Sequence, residues 1–167
     1  MNNTELAPKA TGPMDGPCIS IQGGTYRILV SGEQTNGAFA AIEMIVPPGA
    51  GPGPHAHTDI QETFYILEGE VEFKSEAGTY TASQGAYVVI PKGGIVHAFK
   101  NKTDKIVKLL CTVVPAGLDG FFLAVGEPVT PGTFLPKKPM DEALLQKIRA
   151  AGEQFGQTIF PPDYLEK

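Results

Sequence analysis

From Thr25 to Val114 the chain is a series of short β-favouring runs broken by glycine, proline and other turn formers at roughly ten-residue spacing, and this punctuation constrains the fold more than any other feature. The runs are Tyr26 to Ser31, Ala38 to Val46, Thr63 to Leu67, Glu70 to Lys74, Gly78 to Thr81, Tyr87 to Ile90, Ile95 to Phe99 and Lys105 to Val114. Eight runs so spaced predict an antiparallel sandwich or barrel. Val71 and Phe73 alternate with Glu70, Glu72 and Lys74, which sets one buried and one wet face. Leu67-Glu68-Gly69-Glu70 reads as a tight turn and predicts a hairpin over Thr63 to Lys74. Ile106 to Val114 and Tyr87 to Ile90 are apolar almost throughout, as strands covered on both faces are. A barrel of this length has too little chain to cover both, so a homodimer is expected.

The ends differ from the middle. Residues 1–20 have three prolines and no sustained period, and read as an N-terminal arm before a barrel over 21–115. Residues 116–167 read as a C-terminal extension packed on the barrel or on a partner subunit. Within it Leu118, Phe121, Phe122 and Val125 have helical spacing, 126–140 is Pro-rich and extended, and Asp141 precedes an amphipathic helix ending near Phe155.

A chain of 167 residues fits one domain, and its composition narrows the function classes. Lys+Arg 13 against Asp+Glu 18 leaves a net charge of -5, with no block of like charge longer than Lys137-Lys138. That balance excludes a duplex-binding face, so no nucleic-acid partner is expected. No apolar run approaches a membrane span, and Met1-Asn2-Asn3-Thr4-Glu5 has neither the basic start nor the apolar core of a leader. A soluble cytoplasmic protein without a membrane partner is expected. Cys18 and Cys111 lack metal-site spacing and are expected to be reduced, Cys111 as a core residue.

Chemistry gathers on the three histidines, at 55, 57 and 97. His55-Ala56-His57 places two imidazoles two residues apart, on one side of a strand. Five residues on, Glu62 opens the next strand on the face that carries Phe64 and Ile66. Asp59 and Gln61 are nearby alternatives, but Glu62 is the better fourth ligand. His97 follows a Pro/Gly turn and is expected to arrive from a different edge of the barrel. A lone histidine in a strand is ordinarily a structural residue; three with a carboxylate argue for ligation. Imidazole and carboxylate donors suit one divalent transition metal among Fe, Mn, Co, Ni, Cu and Zn. Four protein ligands on an octahedral ion leave two adjacent positions open, unlike a closed structural zinc site.

Gly49, five residues, His55-x-His57, four residues, Glu62, six residues and Gly69 resembles the first conserved motif of the cupin superfamily. Gly85, five residues, Pro91-x-Gly93, three residues, His97, three residues and Asn101 resembles the second, with one residue more between Gly93 and His97 than is usual there. Either the turn is longer or Gly94 takes the glycine role. The resemblance spans Tyr26 to about Val114 and is nearest to small single-domain cupins related to quercetin dioxygenase. It implies an all-β, double-stranded β-helix (jelly-roll) barrel of roughly six to eight strands, here with short C-terminal helices. It also implies a dimer and one metal ion bound by residues matching His55, His57, Glu62 and His97.

Fold does not name a reaction. The expected activity is that of a dioxygenase bringing dioxygen together with a small phenolic or enolic substrate, with Glu62 also serving as catalytic base. Phe64, Phe73, Tyr87 and Phe99 are core residues first and candidate walls of the substrate pocket. Two rivals stand beside it: a non-redox isomerase, epimerase or lyase on sugars or keto acids, and a metal- or ligand-binding protein without turnover.

Overall fold

The computed structural model describes residues 7–166, so the start read in Met1 to Glu5 lies outside the described residues. In chain order the elements are β1 (Cys18–Ile21), β2 (Gly24–Val30), β3 (Ala40–Val46), β4 (His55–His57), β5 (Gln61–Glu68), β6 (Glu70–Ser75) and β7 (Gly78–Ser83). Then follow β8 (Tyr87–Ile90), β9 (His97–Lys100), β10 (Val107–Val114), α1 (Leu118–Val125), β11 (Glu127–Pro128), α2 (Glu142–Phe155) and β12 (Gln157–Ile159). One sheet has the order β11-β1-β2-β3-β10-β5-β8 and the other β12-β4-β9-β6-β7. Strand pairs in both are antiparallel. The architecture is the all-β jelly roll.

Alternation builds the core. Ala40, Ile42, Met44 and Val46 of β3 face inward beside Val107, Leu109, Cys111 and Val113 of β10, all essentially inaccessible to water. Val71, Phe73 and Phe99 meet them from the other sheet. The other side of β10 carries Lys108, Leu110 and Thr112, half-buried within the single chain.

One expectation is corrected. The stretch Thr63 to Lys74 is not a hairpin: β5 and β6 belong to different sheets, and Gly69, with φ +83°, turns the chain from one to the other. A left-handed glycine serves a corner as well as a hairpin. The hairpin partner of β6 is β7 instead. Cys18–Ile21 pairs with both β2 and β11 and adds a strand ahead of β2. At the other end the chain rejoins the barrel, since β12 pairs with β4. Phe160, Tyr164 and Leu165 then pack over Ala56, Val96 and Ala98 on the outside of that sheet.

Asn101 shows what the second motif supplies structurally. Fully buried, it donates through Nδ2 to the carbonyls of Val46 (2.9 Å) and Lys105 (2.7 Å). Its Oδ1 accepts from the Thr103 backbone N–H (2.9 Å) and hydroxyl (2.8 Å). One side chain thus satisfies the groups of a buried turn. Gly93 and Gly94 both have positive φ, +117° and +80°, and these two residues accommodate the longer spacing before His97.

Candidate metal centre

His55 and His57 stand on β4, His97 on β9 and Glu62 on β5, and all four side chains are buried. His97 does not come from a distant edge: β9 lies beside β4, and His55 and His97 are direct cross-strand partners. Glu62 is the residue that crosses over, from the opposite sheet. Ring centroids of His55 and His97 are 4.3 Å apart, of His55 and His57 5.1 Å, and of His57 and His97 5.5 Å. One ligand atom from each of the four residues falls within 4.8 Å of the others. Neither Asp59, which is exposed, nor Gln61 joins the cluster.

Hydrogen bonds aim the rings. Nδ1 of His55 meets the Gly53 carbonyl at 2.8 Å, and Nδ1 of His97 meets the Ile95 carbonyl at 3.0 Å. A carbonyl only accepts, so each Nδ1 bears a proton and Nε2 is the ring atom aimed inward. Burial, together with the neighbouring His97 and His57 rings, lowers the His55 pKa to about 3 and keeps that ring neutral at physiological pH. Burial acts to raise the Glu62 carboxyl, but the His57 and His97 imidazoles outweigh it and hold Glu62 ionised.

The cluster fits a cation. Glu62 Oε2 lies 3.3 Å from His97 Nε2 and 3.4 Å from His57 Nε2. Around an ion bonded at about 2.0–2.2 Å, adjacent ligand atoms sit roughly 2.8–3.1 Å apart at octahedral angles and roughly 3.3–3.6 Å apart at tetrahedral ones. At 3.3 Å His97 Nε2 and Glu62 Oε2 are at hydrogen-bond distance, a contact that a proton or a cation between the two atoms can hold. His57 is more telling, because neither of its ring nitrogens has a hydrogen-bond partner although the side chain is 1% exposed. The 3.4 Å approach to Glu62 is therefore an electrostatic proximity, not a hydrogen bond. Orphaned buried nitrogens are costly and rare in finished structures, and a metal ion would satisfy His57 Nε2, the nitrogen that faces Glu62.

Two further groups touch this centre. Cys111 Sγ donates to Glu62 Oε1 at 3.2 Å. Burial and the adjacent carboxylate push the Cys111 thiol well above its ordinary pKa, so it remains an S–H. On the open side lies a cavity of about 50 Å³, reached by His55 and Glu62 and walled by Phe64 and Phe99. Leu118, Phe121 and Phe122 of α1 close it, with Phe122 stacked on Tyr26 at 5.0 Å between centroids.

Residues 42–113 match the cupin domain family. That stretch is a cupin domain. Among curated proteins this cupin resembles quercetin 2,3-dioxygenase of Bacillus subtilis (strain 168), 27% identical over 128 residues. The alignment takes in 75% of this chain but only 37% of that enzyme, little more than a third of its length. Among solved structures it resembles a predicted oxalate decarboxylase of Thermotoga maritima, with TM-score 0.57 and 25% identity, covering 65% of this chain and 99% of that one. A cupin-superfamily sugar phosphate isomerase of Silicibacter pomeroyi superposes with TM-score 0.51 at 22% identity, covering 57% of this chain and 61% of that one.

Sequence reasoning about the cupin pocket needs amendment. Phe64 and Phe99 line the cavity, whereas Phe73 lies behind them, 5.2 and 5.6 Å away between ring centroids. Tyr87 does not line it: 62% exposed, it pairs with Tyr65 on the outer face, while Val88 and Ile90 point in. Missed were Tyr26 and Met44, the α1 residues, and Gln157, which β12 places opposite His57. Helical spacing already marked one face of α1; a three-residue strand like β12 leaves no periodic signal.

Proposed function

We propose that this cupin is a mononuclear metal-dependent dioxygenase whose substrate is small, uncharged and bears a phenolic or enolic oxygen. The observation that carries this reading is the cavity lining: aromatic and aliphatic walls, the single amide of Gln157, and no lysine or arginine. A dicarboxylate or sugar phosphate would be desolvated there without a counter-charge on the walls. A flat apolar ring with one oxygen aimed at the cluster gains from burial instead. At about 50 Å³ the cavity is smaller than the ~150 Å³ that holds a benzene ring, so a phenol enters only as its walls give way. Similarity to a quercetin 2,3-dioxygenase supports the same chemical class.

His55, His57, Glu62 and His97 would hold a divalent transition ion, for which Fe, Mn, Co, Ni, Cu and Zn all suit these donors, and the ion would supply the Lewis-acid and redox chemistry. The chain's own residues do the rest. Glu62, which lines the cavity, would accept the proton of the substrate hydroxyl through a carboxylate lone pair not engaged by the metal. Phe64 and Phe99 hold the ring, and α1 with the Tyr26–Phe122 stack keeps water out. The reading is tested by dioxygen uptake of iron- or manganese-loaded protein with a panel of small phenols and enols. Substrate-dependent uptake is expected, and Glu62→Gln should retain part of its metal while losing about 100-fold or more in turnover. No uptake in any metal form, with conversion of a sugar or keto acid under nitrogen, would replace it with non-redox chemistry. Tight binding of a panel compound without conversion would leave a binding protein.

The same reading places the protein in the cytoplasm, where both thiols stay reduced, and pairs it with a second copy of itself. No helix among the described residues is long and apolar enough to cross a membrane. Tyr65, Leu67, Tyr87 and Val89 form an exposed apolar face at the β5–β8 margin, and β8 is an edge strand. Sedimentation equilibrium should return a dimer, and Tyr87→Glu a folded monomer. A monomer at every concentration of the unaltered protein would remove the second copy.

A further inference from the structure

Cys111 is fully buried on β10 and counts as core by position, yet its sulfur reaches the one Glu62 oxygen that faces away from the imidazoles. The register explains how. Cys111 pairs with Phe64 and Val113 with Glu62, so Cys111 is a diagonal neighbour of Glu62 on the same inward face. We propose that Cys111 is a positioning residue: its S–H holds Glu62 Oε1, leaving Oε2 alone to meet the metal. The proposal rests on the metal-site reading above and goes one residue beyond it.

A carboxylate with both oxygens free can take two positions on an ion. With one lone pair of Oε1 engaged and its direction set by a rigid strand, Glu62 takes one position, and a second stays open. Outer hydrogen bonds of this kind orient ligands and tune the metal, and losing one typically costs about 10–100-fold in affinity. If Cys111 merely filled space between Ile42 and Phe64, an apolar residue of similar size would serve equally well. Valine and serine separate the two roles, because valine keeps the bulk and serine keeps the donor.

Cobalt(II) is the probe, with binding measured by chelator competition and the ligand field by visible absorption of the loaded protein. Cys111→Val is expected to bind Co(II) about 10–100-fold more weakly and to shift the absorption toward a higher coordination number. Cys111→Ser should recover both toward the unaltered protein. Unchanged affinity and spectrum in a folded Cys111→Val, or a serine variant that behaves like valine, would overturn the proposal. Absence of Co(II) binding by the unaltered protein would overturn the metal-site reading, and the positioning role with it. Should Cys111→Val fail to fold, the S–H stretching band in Cys18→Ser protein decides. A band displaced by hydrogen bonding that moves on Co(II) loading supports the role, and one at the position of a free thiol in both states overturns it.

Discussion

Replacing His57 with leucine is expected to abolish stoichiometric metal binding while making the metal-free protein more stable. Both effects follow from one fact, that two ring nitrogens are buried with no hydrogen-bond partner. An unsatisfied buried polar group costs about 1–3 kcal/mol, and leucine fills most of the volume without that cost. The metal-free variant should therefore melt a few degrees above the metal-free parent, at roughly 2–4 °C per kcal/mol for a chain of this size. With metal the order reverses: at 100 times its Kd a ligand adds about 2.7 kcal/mol to the parent, and the variant has lost a ligand. Elemental analysis and calorimetry with and without chelator read both halves. Full metal occupancy in the variant would show that His57 is no ligand. Equal melting temperatures of the two metal-free proteins would show that its nitrogens carry no penalty.

The site was more legible than the path the chain takes around it, and the reason is the range of the signals. His55, His57 and Glu62 sit within eight residues, so spacing and alternation alone place them near one another. His97 completes the set as the one remaining histidine of the chain. Which strands flank which is a long-range matter: the left-handed Gly69 fits a hairpin and an inter-sheet corner alike, and only the pairing of β5 with β10 and β8 distinguishes them. Tyr87-Val88-Val89-Ile90 is apolar at every position and has no alternation to say which face turns inward. The pairing of Tyr65 with Tyr87 puts that tyrosine outside. Cys111 reads as core from its neighbours and is core; its bond to Glu62 depends on a register between β10 and β5 that their sequences do not encode locally.

Phe73→Ala should be the most destabilising single truncation of the barrel wall, by about 3–5 kcal/mol. Phe73 is 1% exposed and packs against three rings at once: Phe64 at 5.2 Å, Phe99 at 5.6 Å and Tyr80 at 5.6 Å between centroids, the last nearly parallel. Rigid strands on both sides leave little room for collapse, so most of the void would persist. Phe64 and Phe99 are cavity walls and Phe73 is the surface behind them. The same truncation should thus loosen the pocket without touching a metal ligand. Denaturant unfolding gives the first effect, and metal titration of the folded variant gives the second as an affinity close to that of the parent. A loss under about 1 kcal/mol would mean that the neighbouring rings close the gap. A large loss of metal affinity in a folded Phe73→Ala would mean that the aromatic wall also holds the ligand strands in register, β9 through the Phe73–Phe99 pair and β5 through Phe64.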